Sequence, residues 1–403
     1  MDQSGPPAAV VVAAVTVAVL LAAVAGLVGG VTQAGDDDTP LNATSEELSY
    51  LSPAPEEVTR ETYTRTGIDV SAAAAADGQR LRGRHAAATF EQRFGGVENR
   101  SAFVEQVAAR LETRALALDE HHAEVLEAYG EGEYTTGRLL SELVRMDAAA
   151  ATHQRLRDRV ETAVEAVDGF ELNRTVQEQF VALDTEIPAL ESPVVDELAA
   201  APFDRTTVYT QATETALVLA TAGEVHLRRV TLRGERDRNG PNRFVQGATD
   251  GQNANSLALK RAQNLYGERQ VRGFFPPPLG ATSVYGVQGD TAVGEFVGYI
   301  DGATRNRFHE RRSIDAPGIP AVQTLSDTAG SVELSVETTT PTGPMQLSVT
   351  DEDNPVEGAA LSVANTTVGT TDAAGERWVT QPLAGATVRA TVGNETLQVT
   401  LPG

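Results

Sequence analysis

The sequence predicts a multi-domain fold: an N-terminal transmembrane helix, an antiparallel α-helical bundle or hairpin, a small α+β domain and a C-terminal β-sandwich. Three observations predict it. Residues Ala8 to Val31 are one unbroken run of apolar and small residues. Apolar residues then recur at helical spacing to about residue 201. Beyond that point short alternating segments are punctuated by Gly, Pro, Asn and Asp. The expected divisions are an anchor at 1–31, a stalk at 32–59, a helical domain at 60–201, an α+β domain at 203–330 and an Ig-like or transthyretin-like sandwich at 331–403.

About 24 residues at 1.5 Å each make a helix of roughly 36 Å, enough to cross a bilayer core of about 30 Å with some tilt. No Lys or Arg precedes the run, and Asp36, Asp37 and Asp38 follow it. The positive-inside rule therefore has almost nothing to count, and the aspartates favour a body outside the cell. The expected location is the cell membrane, single-pass, with the bulk extracellular. The alternative is secretion after cleavage, because Ala23-Val24-Ala25 offers a small-residue site. The polar, Pro-containing residues 32–59 read as a stalk.

In the helical region Phe103, Val107 and Leu111 open one stripe. Leu139, Leu143 and Met146 open a second after the break at Gly130-Glu131-Gly132, and Val176, Phe180, Leu183 and Ile187 form a third. Ser192-Pro193 is an N-cap followed by Pro at the first helical position. Short breaks predict antiparallel neighbours, with an uninterrupted coiled-coil dimer as the alternative.

Next, Ala216–Thr221 and Val225–Leu232 alternate around Ala222-Gly223 and predict a hairpin. Asn253–Tyr266 predicts a helix. Ser283–Val287 and Ala292–Ile300 predict two strands joined through Gln288-Gly289-Asp290, and Asp301–Thr304 a turn. The span 260–314 is similar to a PepSY-like module, which runs helix, strand, strand; Arg305 stands where that turn usually has glycine. The resemblance implies a regulator, inhibitor or folding assistant of an exported protease.

Six short β segments fill 331–403. Pro355-Val356-Glu357-Gly358-Ala359 followed by Thr371-Asp372-Ala373-Ala374-Gly375-Glu376 resembles carboxypeptidase regulatory-like and surface-protein Ig-like domains. The resemblance implies a structural or spacer role. The whole layout is also similar to haloarchaeal membrane-anchored surface proteins grouped as domains of unknown function.

Acidic residues number 56 against 32 basic, Lys260 is the only lysine, and cysteine is absent. A net charge of −24 strains a compact chain in dilute buffer, whereas molar salt shortens the Debye length to about 3 Å and relieves it. This balance points to a halophilic archaeon. N-x-S/T sequons at Asn42, Asn99, Asn365 and Asn394 fit an exported glycoprotein; a fifth, Asn173, also reads as a helix N-cap.

No catalytic signature emerges. His121-His122-Ala123-Glu124 and His309-Glu310 both lack the second, i+4 histidine of a zinc helix. Asp351-Glu352-Asp353-Asn354 has no EF-hand spacing. No cofactor or metal is expected, and no catalytic residue. Charge distribution is more informative, at net −15 over 45–201, +2 over 203–330 and −7 over 331–403. Arg228, Arg229 and Arg233, with Phe274 and Phe275 as apolar contributors, are therefore candidate partner-binding residues. They would dock on an acidic surface, the chain's own helices first and an anionic lipid headgroup layer or acidic glycan next. Nucleic acid is not an expected partner, because aromatic interleaving is absent. The function expected is non-enzymatic: an envelope-structural or partner-binding surface protein, meeting the membrane, other envelope proteins or an exported protease. The oligomeric state is not written in the sequence.

Overall fold

The computed structural model describes residues 50–67, 69–187, 190–200, 205–248, 253–275 and 283–402. Strand β1 (Arg60–Thr66) precedes three long helices, α1 (Val70–Gly96), α2 (Arg100–Gly130) and α3 (Thr136–Glu165). Two shorter helices follow, α4 (Arg174–Glu186) and α5 (Pro193–Ala200). Strands β2 (Thr206–Ala212), β3 (Ala216–Ala222) and β4 (Val225–Leu232) come next, then α6 (Arg243–Gln246) and α7 (Ala254–Tyr266). Strands β5 (Val271–Phe275), β6 (Val284–Thr291), β7 (Gly294–Asp301) and β8 (Arg307–Asp315) complete the middle of the chain.

Local chemistry starts each long helix. The side chains of Asp69, Asn99, Thr135 and Asn173 accept from the backbone N–H of Ser71, Ala102, Arg138 and Val176. Each cap satisfies a donor that a helix start leaves open, worth about 1 kcal/mol. Helix α1 presents Ala72, Ala76, Gly83 and Ala87 to α3, so the two helices approach closely. A Cβ at Gly83 would lie 2.5 Å from Thr152 Cγ2, which is why a glycine sits there.

Eight strands form one antiparallel sheet in the order β1-β2-β3-β4-β8-β7-β6-β5. Period-2 alternation gives it two covered faces. One face carries Val208, Ala212, Leu217 and Leu219 against α2, α3 and α5. Val194, Val195 and Leu198 of α5 are fully buried there, each contributing about 2 kcal/mol. The other face is shared: Tyr63, Tyr209, Val218, Val230 and Leu232 meet the C-terminal domain, while Tyr285, Val287, Phe296 and Ile300 meet α6 and α7.

The C-terminal domain is a sandwich of two antiparallel sheets. One contains β9 (Gln323–Ala329), β10 (Val332–Thr338), β11 (Pro344–Asp351), β12 (Asn354–Pro355) and, after the intervening strands, β15 (Glu376–Thr380); the other contains β13 (Ala360–Val363), β14 (Thr366–Thr370), β16 (Thr387–Val392) and β17 (Glu395–Thr400). Asp351–Asn354 is the β11–β12 turn, with Glu352 and Asp353 both at positive φ. Among the described residues no group of three or more His, Asp or Glu side chains could hold a metal ion.

The expected fold class needs correction at the transmembrane helix: among the described residues no helix is long and apolar enough to cross a membrane. The run 8–31, the segment 32–49 and Asn42 lie outside the described residues. The helical, α+β and sandwich parts pack together, and residues 42–403 form one compact unit. Strand β1, from the segment read as helical, pairs with β2 from Arg60↔Ala212 to Thr66↔Thr206. The sandwich shares its core with the large sheet, and Tyr63 donates to the Thr380 carbonyl at 2.7 Å. One turn also moved. Gly289 lies inside β6 because a Cβ there would meet Gln270 O at 2.1 Å and the Phe296 ring at 2.6 Å. The hairpin closes instead at Thr291–Gly294.

Candidate functional site

Arg228 and Arg229 neighbour each other on β4 and therefore point to opposite faces of the sheet. Both are buried, with 1% of their surface exposed. Neither can reach an external partner, so of the surfaces expected for them the lipid layer and the glycan are out of reach, and Arg229 meets the chain's own helix α2. The physical reason is local: Arg228 shares a face with Val230 and Leu232, and Arg229 with Leu227 and Thr231, so both faces are covered.

Arg228 clamps the segment before β1. It donates to the Leu51 carbonyl at 2.6 Å, to Ser52 Oγ at 2.9 Å and to Thr342 Oγ1 of the sandwich at 3.1 Å, and it lies over the Tyr50 ring. Burial pulls its guanidinium down to about 10. Beside it, Arg312 Nε meets Glu310 Oε1 at 2.7 Å, and Leu51 N donates to the same oxygen at 3.2 Å. Burial pushes the Glu310 carboxyl up, but Arg312 and Arg307 overcome this and hold it below the usual carboxylate range. This buried charged layer joins sheet, N-terminal segment and sandwich.

On the opposite face a cleft of about 320 Å³ opens between α2, the ends of β4 and β8, and the loop after β4. Arg233 grips Asp119 with both guanidinium nitrogens, at 3.1 and 2.9 Å, and Arg238 reaches the same carboxylate at 2.7 Å. Burial raises the Asp119 carboxyl, but Arg233 and Arg238 overcome it and leave it below its ordinary value. Arg236 lies 4.9 Å above the Phe308 ring.

Two histidines floor the cleft. Arg229 Nη2 lies 3.2 Å from His122 Nε2; arginine can only donate, so that nitrogen accepts. His309 Nδ1 lies 3.0 Å from Thr231 Oγ1, its cross-strand neighbour. Burial, then nearby arginines, hold both imidazoles well below their usual pKa and therefore neutral. The Thr231–His309 pair places a hydroxyl beside an imidazole, and among the described residues His309 Nε2 has no hydrogen-bond partner. The cleft can hold a polar ligand.

Of the predicted residues, Arg229 and Arg233 come together at this cleft on the chain's own helix α2, and Arg228 serves the other face. Phe274 and Phe275 are elsewhere. They end β5, with three strands between it and β4, where Phe274 stacks on Tyr285 and Phe275 is 46% exposed. Phe274 packs with α6 and α7 on the sheet, and neither phenylalanine lies in the core that α2, α3 and α5 form with β2 and β3. Pro276–Pro278 lie outside the described residues. Asn99 is exposed at the start of α2, Asn365 at the β13–β14 turn and Asn394 at the β16–β17 turn. Sequence reading passed over Asp119 and His309 as site residues. A usable signal was the apolar residues on both sides of Arg228-Arg229, which imply burial and hence partners.

Residues 6–203 match a family model described as a domain of unknown function (DUF7096). Residues 323–399 match an archaeal fibronectin-III type-like domain, the sandwich described above. No curated protein and no solved structure matches the chain. The chain is thus similar over 6–203 to a domain of unknown function and over 323–399 to an archaeal fibronectin-III type-like domain.

Proposed function

We propose that this chain is a non-enzymatic protein of the outer cell surface of a halophilic archaeon, acting by holding a partner. One observation carries the reading. The ionisable groups of the cleft are committed to one another, Asp119 to Arg233 and Arg238 and His122 to Arg229, an arrangement that binds and braces. The export half rests on the apolar run 8–31 and on exposed sequons at Asn99, Asn365 and Asn394. The test is topological: intact cells carrying the chain with a C-terminal epitope are treated with external protease. Loss of the epitope supports the reading, and full protection until lysis sinks it. Glycosylation is checked by mass analysis of the three asparagine-containing peptides. Halophily predicts a melting temperature higher in molar KCl than in dilute buffer, and an unchanged one removes that part.

A second reading, a PepSY-like regulator of an exported protease, is favoured by Arg305. It has φ of 63°, in the region glycine favours, at the position where such a turn usually has glycine. Helix α7 is followed by strands, as in that module, with β5 standing between it and β6. Failure of the full chain to inhibit or bind any protease secreted by the host, at molar salt, removes it.

A further inference from the structure

Helices α1, α2 and α3 run up, down and up, and α1 and α2 both lie on α3. Between α1 and α2 runs an open groove floored by α3, formed by adjoining cavities of about 260 and 560 Å³ that share Ala86 and Arg114. Its α1 wall runs from Gln79 through Arg82, Ala86 and Phe90 to Arg93, and its α2 wall from Phe103 through Arg110 and Arg114 to His121. These are 3–4 spacings, so each wall is one helix face. The fifteen residues of α1 from Gln79 to Arg93 give the groove a length of about 21 Å, four helical turns. The stacked rings of Phe90 and Phe103 close one end, and the α3 floor elsewhere is small or polar: Ala149, Thr152 and His153.

The charge of this groove opposes its surroundings. Residues 45–201 carry net −15, yet no Asp or Glu lines it, and Arg82, Arg93, Arg110 and Arg114 stand along its rims. Arg82 bonds only Gln79, and among the described residues Arg93, Arg110 and Arg114 make no ion pair or side-chain hydrogen bond. His153, on the floor, is 6% exposed and its Nδ1 has no partner. Acids appear only past the far end, where His121 meets Glu124 and Glu142.

We infer that this groove is the seat for one further helix, filled by an acidic amphipathic helix of a partner protein. The chain's own α4 packs against α2 and α3 through Val176, Phe180 and Leu183, and among the lining residues of the groove between α1 and α2 none comes from α4. A guest helix would lay bulky apolar side chains at a and d spacing over the small floor and the Phe90–Phe103 end. Carboxylates flanking that stripe would meet arginines on both walls, as e and g charges do in a coiled coil. The proposal names the partner for the binding role given above and rests on that role, though not on the chain's address outside the cell.

The test uses the full-length chain and two labelled peptides of about 18 residues, five turns. Both carry the same leucines at i, i+3, i+4 and i+7; one has Glu and the other Lys at the flanking positions. Fluorescence anisotropy should show the Glu peptide binding and the Lys peptide at least about tenfold weaker in 0.1 M salt, the sum of several exposed charge pairs. Arg93→Glu, Arg110→Glu and Arg114→Glu together should reverse the preference while leaving the melting curve in place, because all three are exposed. Should the triple variant not fold, Arg110→Gln alone should weaken the Glu peptide about two- to threefold. Equal binding of both peptides, or of neither, overturns the proposal. So does binding of dodecanoate in place of the Glu peptide, which would make the groove a site for an anionic amphiphile. A negative peptide result with a positive protease-shaving result would remove the groove and leave the surface reading standing.

Discussion

Arg233 and Asp119, 114 residues apart, form a two-pronged ion pair that ties the loop after β4 to helix α2. Asp119 is 15% exposed and also holds Arg238, so one carboxylate balances two guanidinium groups in a half-closed cleft. Asp119→Asn keeps the shape and removes the charge, leaving both arginines without that carboxylate. Urea denaturation should show a loss of about 2–4 kcal/mol. A loss below about 0.5 kcal/mol would mean that the pair is an ordinary surface bridge.

Glu310→Gln should cost more, about 3–5 kcal/mol, since it strands Arg312 in the interior and weakens the anchor of Leu51. Hydrogen exchange should show the opening of residues 50–53 first. Protection unchanged across that segment would contradict its dependence on the buried layer.

Stability should fall on acidification. His122, His153, His226 and His309 are held neutral by burial, His153 at about 4 and His226 at about 3, all below the unfolded value of 6.5. A depressed imidazole contributes stability that is present above the unfolded pKa and lost as pH drops below it. Thermal melts should decline from about pH 7 towards pH 4.

Asp147 has the opposite sign. Burial, then Asp196 and Glu191, push its carboxyl up to about 7. A raised folded pKa means that its contribution is whole below about pH 4 and lost as pH rises through 7. Asp147→Asn should therefore stabilise by about 1–3 kcal/mol at pH 8 and change little below about pH 4. Equal effects at the two pH values would refute the shift.

Gly83→Ala should destabilise by about 1–3 kcal/mol despite alanine's better helix propensity, because its Cβ would meet Thr152 Cγ2 at 2.5 Å. Adding Thr152→Ala removes the obstructing atoms and should recover most of the loss. A double-mutant cycle with no coupling would show that α1 and α3 do not depend on this approach.

Much of the local structure was legible in the sequence. The caps at Asn173 and Ser192, the break after Gly130, the β3–β4 hairpin and the Asp372–Gly375 turn follow from short-range rules. There the residues that decide are neighbours in the chain: Asp372 Oδ1 accepts from Ala374 and Glu376 within a single turn. Strands β1 and β2 were missed because Arg60–Thr66 and Thr206–Ala212 are polar or mixed segments. They become strands only by pairing with each other across 140 residues and more.

The candidate sites lay further from view. The sequence by itself determined that the chain is acid-rich, free of cysteine, helical and then β-rich, with a basic middle. Only the tertiary structure decided that Arg228 and Arg229 are interior, that Asp119 receives Arg233, and that Arg93, Arg110 and Arg114 share one groove. A charge read along the chain shows composition, whereas its role depends on which face of a strand or helix it occupies and what covers that face. That covering is set by packing between segments far apart in sequence, which local periodicity does not encode.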